Sequence, residues 1–428
     1  MKKLNIAIIG LGNIGSYLFK YLIKNKDILS KKNNCIPNIS YISARNRGKK
    51  RGLKINKKKW LNNYLDATKK KDVDLIIELI GGAEGPAKKL VFSALRNKKH
   101  VITANKALIA KYGDELSLIA EKNKVNLEFE ASVCGGVPII RSLKEGLIAN
   151  KIKKVFGIFN GTSNYILSSM DKMNKNFDEV LKKAKRLGYA ESNPSADLNG
   201  DDVSAKLKIL SSLCFNSFLN NNVHVEGIKE INKIDIDNAN ILGYKIKLLG
   251  VAEQIDNKIY QRVHPSLIKK NSYVAGVDGV LNAVLIEGSP VGQSVIQGEG
   301  AGPAATTSAL VSDISSILRG NVKFPFSISS KERKNLKFFD ITERFFSAYL
   351  RFEVIDRSGV LSNITNIFSK NNVSIKRLIQ TPSKNSNRSS IVIITHNSKD
   401  KFLNKIIKLI SKKKYILKKP VLIRIDES

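Results

Sequence analysis

Leu4-Asn5-Ile6-Ala7-Ile8-Ile9-Gly10-Leu11-Gly12-Asn13-Ile14-Gly15 is the stretch from which the architecture can be read. Its apolar, isoleucine-rich half has the composition of a buried strand. The run stops at Gly-x-Gly-x-x-Gly, after which Tyr17, Leu18, Tyr21 and Leu22 recur at helical spacing. A glycine triplet alone is a weak signal, but between a buried strand and an amphipathic helix it is the fingerprint of a dinucleotide site. Gly10 permits the tight turn, Gly12 lets the backbone approach a pyrophosphate, and Gly15 lets helix and strand pack closely. With Asn13 and Ile14 at the helix start, where free N–H groups attract phosphate, these residues form the expected cofactor loop.

Further along, residues 39–44 form a second strand-like run ending at Arg45. Residues 74–80 stop at Gly81-Gly82, residues 100–104 at Asn105-Lys106, and residues 125–130 before a Gly-rich turn. Strands alternating with helices predict an α/β, Rossmann-type doubly wound parallel sheet. Ligands of such sheets bind beyond the carboxyl ends of the strands, where Arg45, Gly81, Lys106 and Glu130 fall. An NAD-preferring fold usually carries a carboxylate where Arg45 stands, with Arg47 nearby. A guanidinium pairs with a 2′-phosphate, so NADP is expected over NAD. The competing reading makes Arg45 one more surface charge.

The pattern predicts residues 1–130 as the dinucleotide domain and 131–320 as a central α+β catalytic and dimerisation domain. A helix around 303–320 is expected to return to the first domain. Residues 321–347 read as a linker with a polar hinge at Lys331-Glu332-Arg333-Lys334. Residues 348–428 follow a βαββαβ, ferredoxin-like order, with a Pro/Ser/Asn-rich hairpin after Gln380. The chain has 428 residues, 42% of them hydrophobic, and a formal charge of +36. No apolar run approaches the roughly 20 residues that cross a bilayer. The start, Met1-Lys2-Lys3-Leu4, lacks a signal-peptide pattern, and the three cysteines are far apart, so a cytoplasmic protein without disulfides or membrane contact is expected. The lysines are scattered and not interleaved with stacking aromatics, which favours solvated faces over a nucleic-acid site.

The chemistry concentrates in Gly188-Tyr189-Ala190-Glu191-Ser192-Asn193-Pro194-Ser195-Ala196-Asp197-Leu198-Asn199-Gly200-Asp201-Asp202-Val203-Ser204-Ala205-Lys206. A helix beginning near Asp201 puts Asp202 and Lys206 on one face at i and i+4. A cation among carboxylates offers a proton donor and partners for a substrate ammonium; a lysine of lowered pKa could protonate the alkoxide formed when hydride adds to a carbonyl. Spacing alone favours a solvent-facing salt bridge.

The whole set of motifs resembles homoserine dehydrogenase in its single-function form with a C-terminal ACT domain. The glycine loop, Thr103-Ala104-Asn105-Lys106, Glu130-Ala131-Ser132-Val133-Cys134-Gly135-Gly136-Val137-Pro138, Gly161-Thr162-Ser163-Asn164-Tyr165, the 188–206 segment and Gly298-Glu299-Gly300-Ala301-Gly302 carry it. The resemblance implies a reversible NAD(P)-dependent reduction of L-aspartate 4-semialdehyde to L-homoserine, on the route to threonine and methionine. It implies Lys206 as the acid, and Glu191 and Asp202 as substrate holders with Asp197 as accessory carboxylate. Lys106 would lie beside the nicotinamide, Gly188 and Gly302 would line the cleft, and Thr162 and Asn164 would sit where the domains meet, at the substrate. Glu130, Val133, Gly135 and Val137 match the family's monovalent-cation site, with sodium expected. The turn Asp356-Arg357-Ser358-Gly359-Val360-Leu361 resembles the ACT signature, so Asp356, Gly359 and Leu361 are candidate contacts for L-threonine. Such domains pair side by side, so a homodimer or homotetramer is expected. Two alternatives stay open: another NADP-dependent semialdehyde dehydrogenase, and an amino-acid-sensing regulator that binds nucleic acid. Cys134 reads as a small packing residue and Trp60 as a cap on the core.

Overall fold

The computed structural model describes residues 1–382 and 387–426. Strands β1 (Lys2–Ile9), β2 (Cys35–Ser43), β3 (Leu75–Glu78), β4 (His100–Thr103) and β5 (Leu127–Glu128) form a five-stranded parallel sheet in the order β2-β1-β3-β4-β5. Ile6, Ile8, Leu75 and Ile77 are fully buried, as isoleucine-rich strands covered by helices on both faces require. The strand order reverses between β1 and β3, which opens a crevice above the loop leaving β1. Helix Pro303–Leu318 packs against helix Asn13–Lys24, with Leu310 and Ile314 in one core with Leu18 and Leu22. The last strand is shorter than residues 125–130 suggest. The Glu130 N–H donates to Asp313 at 3.0 Å, and the chain turns into a 3₁₀ segment, Glu130–Ser132.

The second sheet contains β6 (Lys151–Ile158), β7 (His224–Val225), β8 (Tyr244–Ile255), β9 (Lys258–Lys269), β10 (Leu281–Ser289) and β11 (Gly292–Glu299). Strand β12 (Lys337–Phe338) joins β9, and β13 (Phe345–Ile355), β14 (Ile375–Pro382), β15 (Arg388–Thr395), β16 (Ser398–Lys399) and β17 (Val421–Asp426) belong to the C-terminal unit. That unit has the ferredoxin-like order β17-β13-β15-β14, with helices Val360–Lys370 and Asp400–Ser411 and the two-residue β16 as an addition. The hairpin turn at residues 383–386 lies outside the described residues. Strand β17 pairs in parallel with β9, Arg424 opposite Ser266, so the sheets of the two units run on as one. Among the described residues no helix is long and apolar enough to cross a membrane.

The stretch expected to be a polar hinge is instead anchored. Arg333 is buried, with its guanidinium 4.2 Å from the ring centre of Phe326 and 4.8 Å from that of Phe218. It pairs with Asp114 at 2.7 Å on helix Lys106–Lys122 and donates to the Ser217 carbonyl. A planar guanidinium can stack and pair at once, which a count of charges cannot reveal. Leu336 and Ile341 are buried and β12 pairs with β9, so residues 321–347 pack as structure.

Candidate active site

The glycine loop divides its roles by space. A Cβ on Gly10 (φ +108°) would lie 2.4 Å from the Leu79 carbonyl oxygen, and one on Gly15 would lie 2.0 Å from that of Gly10. A Cβ on Gly12 would meet nothing within 4 Å, and the same holds for Gly81, Gly188 and Gly302, all three at positive φ. Helix Asn13–Lys24 begins without a side-chain cap, with Asn13 exposed and Ile14 half-buried against the core. Open backbone and uncapped N–H groups fit a dinucleotide pyrophosphate.

Glu78 and Asn105 were not singled out from the sequence, yet they build the wall opposite. Buried Glu78 accepts from Ile80 N at 2.7 Å, Gly81 N at 2.9 Å and the Thr103 hydroxyl at 2.5 Å. Asn105 donates to the Gly82 carbonyl at 2.7 Å and accepts from Leu108 N at 3.1 Å, capping the helix that opens with Lys106. A carboxylate inside an apolar run, between Ile77 and Leu79, was the available signal at Glu78. Arg45 is exposed beyond β2 and makes no hydrogen bond or ion pair among the described residues. Arg51, also missed, ties the loop after β2 to the glycine loop, donating to Leu11 O at 2.9 Å and Asn46 O at 2.5 Å. Trp60 packs on the core, bridges to Ile42 and lies beneath Arg47 and Arg51.

Across the crevice, helix Asp201–Phe215 carries Asp202 and Lys206. Lys206 Nζ lies 2.8 Å from Asp202 Oδ2 and donates to the Phe159 carbonyl at 2.6 Å. Lys106 Nζ, from the parallel-sheet unit, lies 2.5 Å from Asp202 Oδ1. Asn160 donates to Asp197 Oδ1 at 2.7 Å and Asp202 Oδ2 at 2.9 Å. Asn160 Oδ1 accepts from Ser163 N at 2.7 Å, so the same side chain caps helix Gly161–Met173. It too escaped the sequence reading, which passed over it for Thr162 and Asn164.

Burial works against the Lys206 ammonium, but the Asp202 charge outweighs it and the net shift is upward. This corrects the expectation of a lysine with a lowered pKa: the neighbouring carboxylate holds the proton on. Burial likewise opposes the Asp202 carboxylate, and the Lys206 and Lys106 charges overcome it, holding the group well below the usual range.

The remaining residues separate. Glu191 is exposed on its loop, which is tethered by the Thr162 hydroxyl donating to the Tyr189 carbonyl at 2.7 Å. Asn164, expected at the substrate, is buried and bonded within its own unit: it donates to the Val277 and Leu281 carbonyls and accepts from Lys247 at 3.1 Å. Glu130 places its oxygens on Ile140 N at 3.0 Å and Arg141 N at 2.6 Å, and burial pushes its carboxyl up to about 7 despite those donors. Gly135 (φ +50°) presses the following turn, which includes Val133 and Val137, against Gly300. Among the described residues no set of three or more His, Cys, Asp or Glu side chains is placed to hold a metal. Cys134 is buried, and burial pushes its thiol up to about 11, as suits a packing residue. In the C-terminal unit Asp356, Gly359 and Leu361, with Gln380, line a cavity of about 270 Å³ at the uncapped start of helix Val360–Lys370.

A dinucleotide crevice facing two lysines that share a buried carboxylate is the apparatus of a nicotinamide-dependent oxidoreductase acting on a CH–OH group. Residues 138–315 match the family model described as homoserine dehydrogenase, residues 10–130 match the homoserine dehydrogenase NAD-binding domain, and residues 348–412 match the ACT domain. The homoserine dehydrogenase of Neisseria gonorrhoeae is 38% identical, covering 100% of this chain and 99% of that protein. That of Bacillus subtilis is 36% identical over 94% of this chain and 93% of its own length. The crystal structure of a homoserine dehydrogenase from Thiobacillus denitrificans superposes with a TM-score of 0.92 at 36% identity, covering 100% and 99% of the two chains. The chain belongs to the homoserine dehydrogenase family and interconverts L-aspartate 4-semialdehyde and L-homoserine with a nicotinamide cofactor.

Proposed function

We propose that Lys206 is the proton donor of this reaction, and the observation that carries the proposal is its contact with Asp202 in a buried setting. The reduced nicotinamide, when bound, supplies the hydride. Lys206 gives a proton to the oxygen of the substrate carbonyl as that oxygen gains charge, and it is reprotonated from the cleft. Asp202, fixed by Lys106 and Asn160, keeps Lys206 charged until that moment. Glu191 and Asp202 hold the substrate at its ammonium end, with Asp197 as the accessory carboxylate on the same side. Gly12, Gly81, Gly188 and Gly302 leave open backbone for the cofactor, Gly10 and Gly15 shape the turn that receives it, and Lys106 borders its nicotinamide end. Arg45, without a partner among the described residues at the end of β2, gives NADP the advantage over NAD.

Glu130, with the backbone of Val133, Gly135 and Val137, takes a monovalent cation, sodium by preference. A buried carboxylate together with backbone carbonyl oxygens is an all-oxygen ligand set, which suits a hard ion. The cation shapes the turn and takes no part in the chemistry. The cavity at Asp356, Gly359 and Leu361 binds L-threonine, with the uncapped helix start receiving its carboxylate. The protein assembles as a homodimer or homotetramer; because β17 is covered by β9 within the chain, β14 is, among the described residues, the edge left for pairing between ACT domains.

The test is Lys206→Ala in an assay of NADPH oxidation with aspartate semialdehyde. Turnover should fall by about 10²–10⁴, the usual contribution of a positioned acid, with cofactor binding intact. Near-normal turnover would assign the acid elsewhere.

A further inference from the structure

Strands β7, β12 and β17 share the outer edge of β9. His224 and Val225 pair with Arg262 and Val263, and the ACT strand follows directly at Ser266 to Ile268. Where β7 and β17 meet, buried Arg424 donates Nη1 to both oxygens of Glu226 at 2.9 and 3.0 Å, and Nε to Asp400 at 2.7 Å. Asp400 opens a helix of the ACT domain, whereas Glu226 belongs to the central unit, so one guanidinium clamps the two together. Glu226 is held further by His224 Nε2 at 2.6 Å and, through its backbone N–H, by the Val263 carbonyl at 2.7 Å.

Just past this clamp the chain touches the active site. Gly227 runs so close to helix Ser195–Asn199 that a Cβ would stand 2.2 Å from the Leu198 carbonyl oxygen. Ile228 N donates to that same carbonyl at 2.9 Å. The adjoining residue, Asp197, accepts from Asn160, whose amide nitrogen also serves Asp202. The chain of contacts from Arg424 to Asp202 is therefore unbroken, with polar links no longer than 3.0 Å.

We infer that Glu226 is a positioning residue for the substrate end of the cleft. Gripped by Arg424, it sets how far the 226–228 segment presses on Leu198, and so where Asp197 and Asn160 stand. A buried guanidinium between carboxylates of two units has little freedom, and loss of one partner leaves a charge uncompensated. Any displacement of β17 thus reaches the substrate side, which gives the ACT domain a physical route to substrate affinity. The inference rests on the reading of Asp197 as a substrate-side carboxylate.

The test compares Glu226→Gln, Arg424→Lys, Gly227→Ala and Asp197→Asn in the full chain, by steady-state oxidation of L-homoserine with each substrate varied. Glu226→Gln and Arg424→Lys should raise the homoserine KM by about 3- to 10-fold, the range of couplings carried through packed contacts, with the cofactor KM unchanged and kcat within about twofold. Gly227→Ala should give the same split while leaving the ion pair in place, and it decides the matter should the other two fail to fold. Wild-type homoserine KM in Glu226→Gln and Gly227→Ala, beside a raised KM in Asp197→Asn, would overturn the inference alone. An unchanged KM in Asp197→Asn would overturn the reading on which it rests. A cofactor KM rising in step would mark general loosening and likewise count against it.

Discussion

Lys106 reaches across the crevice from the parallel-sheet unit to bind Asp202, 2.5 Å away on a helix of the other unit. Asp202 meets Lys206 with its second oxygen at 2.8 Å, so one carboxylate balances two ammonium groups and joins the units at the reacting centre. The arrangement holds the proposed acid in its charged state.

The upward shift of Lys206 fixes the sign of the pH dependence. Reduction uses the protonated lysine and should stay level through neutral pH, whereas homoserine oxidation needs the neutral amine and should climb into the alkaline range. Asp202→Asn removes the charge that raises Lys206, so the oxidation limb should move to lower pH while kcat falls by about 10²-fold or more. Full pH–rate profiles in both directions check this; an oxidation limb that stays in place would break the link between the two residues.

Arg45 carries the proposed cofactor preference. A guanidinium bonded to a phosphate contributes about 1.5–3 kcal/mol, so Arg45→Ala should raise the NADPH KM by about 10- to 100-fold and leave the NADH KM unchanged. Equal effects on both cofactors would return Arg45 to the general surface charge.

Gly12 and Gly15 should fail in different ways. A side chain on Gly12 enters open space, so Gly12→Val should keep the melting temperature and lose cofactor affinity, measured by NADPH fluorescence titration. Gly15→Ala drives a Cβ to 2.0 Å from the Gly10 carbonyl oxygen and should cost about 1–3 kcal/mol of stability, measured by denaturant unfolding.

Glu130 predicts a salt-specific stability. Its ordinary value of 4.5 is pushed to about 7 on folding, so the folded chain binds the extra proton between those limits and stability declines as pH rises through them. A cation beside the ionised carboxylate reverses the loss by binding only the folded state. At pH 8, sodium chloride should raise the melting temperature above that in choline chloride of equal ionic strength, and at pH 5.5 the two should coincide. Identical melting at pH 8 would remove the cation from this site.

The elements legible in advance are those specified by neighbours along the chain. The isoleucine-rich β1, the glycine turn and the helix behind it follow from local sterics and burial, and so does the i, i+4 face that pairs Asp202 with Lys206. The ACT repeat of strands and helices was readable for the same reason, since periodicity is a local property. What sequence pattern could not supply were meetings between distant segments. Asn160 gives no motif signal of its role between Asp197 and Asp202, because the contact spans 37 and 42 residues. Asn164, one turn further on, looked equally available until packing turned its amide to the 277–281 segment.

The same division explains the two largest revisions. Lys331 to Lys334 has the composition of a solvated hinge, yet Arg333 finds Phe326, Phe218 and Asp114 waiting in the folded chain. A lysine in a closed cleft suggests a lowered pKa from burial alone, but a carboxylate 2.8 Å away outweighs desolvation and reverses the sign. Covalent order and side-chain chemistry specify which strands, turns and helices form. Charge state, anchoring and the joining of β17 to β9 depend on which groups folding brings within about 3 Å, where Coulomb and hydrogen-bond energies become decisive.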